Sequence, residues 1–128
     1  MAAEPPRPTD AELEILTVLW SVGPATVRDV YTVICRRRVA QYSTILKFMQ
    51  IMAEKGLVRR DESERAHIYE AARPREWTQR QLAGDLLERA FNGSAKALLM
   101  GALAARKATK QELDAMRTLL NEYRKTEK

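Results

Sequence analysis

The sequence predicts a mainly α-helical protein in which one small β-hairpin separates a first group of three helices from a second. Three observations predict it. Capping patterns stand before three apolar runs of helical period, at Thr9-Asp10-Ala11-Glu12, Thr26-Val27-Arg28-Asp29 and Thr109-Lys110-Gln111-Glu112. An amphipathic run ending at Lys55 stops at Gly56 and leads directly into an apolar strand start, Leu57-Val58. Beyond Pro74 the apolar residues recur at helical spacing.

Residues 1–8, with three prolines and no periodicity, read as a flexible arm. The first helix runs from the Thr9 cap to about Ser21, with Leu13, Leu16 and Trp20 on one face, widened by Ile15 and Leu19. Gly23-Pro24 ends it. The second helix, through about Arg36, turns Val27, Val30, Tyr31 and Ile34 inward. The third, about Gln41 to Lys55, sets Ile45, Phe48, Met49 and Met52 on one face, and Gly56 serves as its C-terminal cap. Trp20, Phe48, Met49 and Met52 are assigned to the core. Strands follow at about Leu57 to Asp61 and Ala66 to Ala71, joined by the polar turn Glu62-Ser63-Glu64-Arg65.

Helix, helix, helix and hairpin is the order of a winged helix-turn-helix module, placed at residues 9–73. Residues 74–128 then form a helical region. Its fourth helix carries Trp77, Leu82, Leu86, Leu87, Ala90 and Phe91, and breaks at Asn92-Gly93-Ser94. Residues 95–107 form an alanine-rich fifth helix with Leu98, Leu99, Met100 and Leu103. The last helix opens at Thr109 and carries Leu113, Met116, Leu119, Leu120 and Tyr123. So short a segment cannot bury three amphipathic helices alone. A second copy is the economical cover, with Leu86, Leu87, Phe91, Leu98, Leu99, Leu103, Leu113, Met116, Leu120 and Tyr123 as the expected dimerisation set.

Composition excludes several classes. Among 128 residues there is one cysteine, Cys35, and one histidine, His67. They allow neither an internal disulfide nor a His-rich metal site, so no metal or cofactor is expected. Cys35 is read as a small apolar filler on the second helix, with a redox role as the alternative. No run is long enough to span a membrane and no signal-peptide layout is present, so a cytoplasmic protein is expected. The sequence has no glycine-rich phosphate loop, Ser/His/Asp set or pocket-forming carboxylate pair, which points away from an enzyme.

Charge points toward nucleic acid. The chain carries a net +5, yet residues 28–60 alone hold eight basic residues against Asp29 and Glu54, a net +6. The third helix lies within this stretch. Ser43, Thr44, Lys47 and Gln50 fall off its buried face and are the base-reading candidates: lysine can donate to guanine and glutamine can pair with adenine. Thr44 can instead bond within the first helical turn. Arg36, Arg37 and Arg38 precede that helix and match phosphate geometry. Tyr42 either packs where the chain leads into the helix or donates to a phosphate. Arg65 at the wing tip can enter a minor groove or track a phosphate, with Arg59, Arg60 and His67 in support.

In order and spacing, several segments resemble the BlaI/MecI family of penicillinase-type repressors. They are Pro8-Thr9-Asp10-Ala11-Glu12-Leu13-Glu14, Val18-Leu19-Trp20 and Gly23-Pro24-Ala25-Thr26-Val27-Arg28-Asp29-Val30. Further on come Tyr42-Ser43-Thr44-Ile45-Leu46, Glu54-Lys55-Gly56-Leu57-Val58, Arg65-Ala66-His67-Ile68-Tyr69 and Phe91-Asn92-Gly93-Ser94. The resemblance spans Pro8 to about Leu120. It implies a homodimeric winged-helix repressor on double-stranded DNA, binding inverted-repeat operators, commonly of TACA/TGTA type. It also implies, for the penicillinase branch, inactivation by a membrane metalloprotease sensor that cuts in the dimerisation region.

This chain departs from the family at three places. Gln50 and Ile51 stand where relatives often carry arginine. The C-terminal cysteine pair of the copper-responsive branch is absent, and residues 97–105 lack the Asn-Phe pair cut in familiar members. The expected function is therefore a sequence-specific repressor without membrane insertion. A small-molecule-responsive winged-helix regulator and a winged helix used as a protein-interaction module are the alternatives.

Overall fold

The computed structural model describes residues 6–126; most of the expected N-terminal arm, residues 1–5, lies outside the described residues. The elements in order are α1 (Asp10–Val22), α2 (Val27–Cys35), α3 (Tyr42–Lys55), β1 (Val58–Asp61), β2 (Ile68–Ala71), α4 (Arg75–Ala90), α5 (Ala95–Ala105) and α6 (Lys110–Thr126). Local chemistry sets most of the ends. The Thr9 and Thr26 hydroxyls accept from the amides of Glu12 and Asp29, and those carboxylates accept in return from the Thr9 and Thr26 amides. Two donors that a helix start leaves orphaned are thereby satisfied at each end. α3 has no such side-chain cap at Gln41, but it closes on Gly56 at φ 84°, a left-handed position glycine adopts without a Cβ clash.

The chain divides into two compact units, one up to Ala83 and one from Gly84, so the division falls inside α4. The first unit is built around one core. α1 contributes Ile15, Leu16, Val18 and Leu19, α2 contributes Val27, Val30 and Ile34, and α3 contributes Ile45, Met49 and Met52. Leu57, Val58, Tyr69 and Ala25 close it from the hairpin side. Burying each of the larger aliphatic chains contributes about 1.5–3 kcal/mol.

β1 and β2 pair antiparallel, with Val58 opposite Ala71 and Asp61 opposite Ile68. A third strand position joins them from a distance: Ala25, between α1 and α2, exchanges both backbone bonds with Tyr69, at 2.9 and 2.8 Å. The wing is thus anchored to the α1–α2 turn as well as to the end of α3.

Several expected assignments shift. Val18 is buried although it lies outside the expected stripe, while Leu13 and Trp20 are half-buried on its flank. The Trp20 indole N–H reaches across to the Arg73 carbonyl at 3.0 Å, so its ring borders the core instead of filling it. Phe48 and Tyr31 are also half-buried. Cys35 is exposed, which corrects its reading as a filler: it sits one residue past Ile34, off the face that Val27, Val30 and Ile34 define. β2 begins at Ile68, not Ala66, so the wing loop runs from Glu62 to His67. The Ser63 amide donates to Asp61 Oδ1 at 2.9 Å, a local turn that competes with the ladder.

Glu12 is the buried charge of this unit, 2% exposed as a side chain. Its carboxylate takes the Thr9 amide at 2.9 Å and the Lys55 ammonium at 2.8 Å, tying the start of α1 to the end of α3. Burial pushes its pKa up, but the Lys55 hydrogen bond, the Thr9 amide and the Lys55 charge together hold it below the ordinary value.

In the second unit α4 ends at Ala90, and the turn passes through Asn92 (φ 52°) and Gly93 (φ 80°). The Ser94 hydroxyl then accepts from the Ala97 amide to open α5. The Phe91 ring lies against Gly101, whose absent Cβ leaves it room. Thr109 Oγ1 accepts the Glu112 amide at 3.0 Å at the start of α6. No residue of α5 or α6 is buried. Among the described residues no helix is long and apolar enough to cross a membrane.

Candidate nucleic-acid interface

The interface is built on α3 because that helix is anchored on one side only. Ile45, Met49 and Met52 bind it to the core, which leaves Ser43, Thr44, Lys47 and Gln50 exposed away from it, with Tyr42 partly exposed at the helix start. The four base-reading candidates therefore share one solvent-facing surface. They do not share one flank. Ser43, Thr44 and Lys47 border a concavity of about 460 Å³ with the half-buried Phe48 and Ile51. Gln50 lies on the other flank, in a groove of about 460 Å³ between α3 and the wing.

That groove holds several of the expected backbone-contacting residues. Tyr42, Arg60, Arg65 and His67 line it together with Gln50 and Leu46. α2 adds Arg28, which sequence reasoning did not single out: its guanidinium carbon stands 5.1 Å from the Tyr42 ring centroid. The only sequence signal for it was its place in a basic stretch. Tyr31 meets the same ring edge-on, with centroids 5.6 Å apart at 77°. The neighbouring Cys35 thiol raises the Tyr31 phenol above its ordinary range.

The arginines differ in how committed they are. Arg38 is held by Glu14, with Nη2 to Oε1 at 2.7 Å and Nε to both oxygens at 3.2 Å. The Arg38 hydrogen bond holds the Glu14 carboxyl below its usual range. Arg59 pairs with Glu70 across the hairpin at 3.3 Å. Arg60 bonds Glu62 at 2.8 Å, and the neighbouring Tyr69 hydroxyl and Glu62 raise its pKa. Arg36, Arg37 and Arg65 are exposed and not paired with a carboxylate among the described residues. Arg36 borders a separate concavity with Val22, Pro24, Ala25 and Asp29, away from the wing groove. The wing loop carries Arg65 and His67 exposed, where a duplex could be met.

Three helices packed on one core, with the third presenting a polar ridge beside a basic hairpin wing, define a winged-helix DNA-binding protein. The chain matches the penicillinase repressor family over residues 8–122. It is 33% identical over 115 residues to proteins named transcriptional regulator BlaI from two strains of Mycobacterium tuberculosis, CDC 1551/Oshkosh and H37Rv. Those alignments cover 88% of this chain and 82% of each relative. The chain belongs to the penicillinase repressor family, and is a DNA-binding transcriptional repressor, not an enzyme.

Proposed function

We propose that the protein represses transcription as a homodimer, in the cytoplasm, by placing two copies of α3 in successive major grooves of an inverted-repeat operator. The observation that carries this reading is the exposed ridge of Ser43, Thr44, Lys47 and Gln50 beside the wing groove. Ser43, Thr44 and Lys47 act as one reading flank. Gln50 reads from the wing side, and Arg37 and Arg65 hold phosphates. Half-sites then lie a helical turn or a multiple of it apart.

A second copy is supported by the uncovered apolar surface of the second unit. Leu113 (46% exposed), Leu120 (57%) and Tyr123 (66%) recur at helical spacing on α6, with Leu119 beside them. Leu86 and Leu103 are exposed as well, while Leu87, Phe91, Leu98, Leu99 and Met116 are half-buried within the chain. Apolar surface on this scale marks an interaction site. For release from DNA, the family resemblance implies a membrane metalloprotease sensor, but residues 97–105 lack the Asn-Phe pair cut in familiar members and do not support a cut there.

Selection of bound duplexes from a random pool tests the central reading. It should return an inverted repeat, and Lys47→Ala should weaken binding to the selected duplex by about 1–3 kcal/mol while affecting scrambled duplex much less. Equal binding of selected and scrambled duplexes by the unaltered protein would refute specific repression.

A further inference from the structure

The wing groove contains a cation that lies over an aromatic ring. The Arg28 guanidinium lies 5.1 Å from the Tyr42 centroid, and Tyr31 braces that ring edge-on. The neighbouring carboxylates are engaged elsewhere: Asp29 caps Thr26, Glu62 holds Arg60 and Glu70 holds Arg59. Among the described residues neither Arg28 nor Arg65 is paired with a carboxylate, and both line the same groove with His67. An arginine stacked on a ring is pre-oriented, loses less side-chain freedom on binding, and keeps its N–H edge available to an anion.

We infer that Arg28 is a phosphodiester-clamping residue of the DNA interface and that Tyr42 acts as the platform positioning it. This rests on the DNA-binding reading above. It resolves the two roles open to Tyr42 in favour of its ring, with the hydroxyl dispensable. Because a phosphate carries no sequence information, the clamp contributes equally to specific and non-specific duplexes.

The test uses the full chain and two labelled duplexes of equal length, one selected from a random pool and one scrambled, with anisotropy titrations over a series of salt concentrations. Arg28→Ala is expected to weaken both duplexes about tenfold. It should also lower the slope of log affinity against log salt by about 0.9, the value of one phosphate contact. Tyr42→Phe should bind within about twofold of the unaltered protein, since the ring remains. Tyr42→Leu should reproduce the Arg28→Ala loss, and the double variant should be no weaker than either single one.

An unchanged salt slope in Arg28→Ala overturns the clamp. Equal losses in Tyr42→Phe and Tyr42→Leu overturn the platform, assigning the effect to the hydroxyl, and additive losses in the double variant do so too. Melting temperatures within a few degrees keep these outcomes separate from misfolding. Failure of the broader reading looks different, since the unaltered protein itself would then not distinguish the two duplexes.

Discussion

Replacing Lys55 by methionine removes the ammonium that balances Glu12, a carboxylate with only 2% of its side chain exposed. Removing one partner of a fully buried ion pair costs about 3–5 kcal/mol, mostly because the remaining charge is stranded. Lys55 is 33% exposed, so solvent already screens part of the attraction, and roughly 2 kcal/mol at pH 7 is expected. For a domain of this size that lowers the melting temperature by about 8–16 °C. The pH dependence identifies the cause. Glu12 has a folded-state pKa below its ordinary 4.5, so the pair stabilises above that value and is lost as pH falls through the folded pKa. The gap between unaltered protein and Lys55→Met should therefore be small near pH 3 and open fully by about pH 6. Thermal melts at one protein concentration across that range measure it, with concentration fixed because association shifts melting. A gap that stays constant with pH would refute the ion pair as its source and leave only lost packing of the lysine stem.

Gly56→Ala should destabilise by about 1 kcal/mol through backbone strain alone, because φ is 84° and no atom lies within 4 Å of the missing Cβ. Chemical denaturation reads this directly. Arg37→Ala should lower the salt slope of DNA binding by about 0.9, whereas Arg38→Ala, whose guanidinium is held by Glu14, should leave the slope nearly unchanged. Leu120→Glu should shift the protein from dimer to monomer in sedimentation, placing a charge on a surface 57% exposed in the single chain.

What the sequence made legible was short in range. Thr9 with Glu12, Thr26 with Asp29, and Gly56 after Lys55 are signals within a few residues, and each of these helix ends formed as expected. The misses are long in range. Glu12 was legible as a capping acid, but its burial depends on Lys55, 43 residues away. Trp20 was drawn from the core toward the Arg73 carbonyl, 53 residues on, and Arg38 toward Glu14, 24 residues back. Arg28 followed the same pattern. Nothing in periodicity distinguishes it from any surface arginine until α2 and α3 bring it over the Tyr42 ring. The exposed ridge of α3 was readable because it needed only the helical period.

The exchange of backbone bonds between Ala25 and Tyr69 bears on how copies coexist when crowded along a duplex. A two-stranded hairpin normally presents open edges, each a template on which a foreign strand can add. Here Ala25 occupies the outer edge of β2 at its most buried residue, and the β1 edge carries Arg59, Arg60 and Asp61. One edge is capped and the other is charged. Neighbouring wings therefore have little opportunity to fuse strand to strand, and the hairpin stays available to DNA.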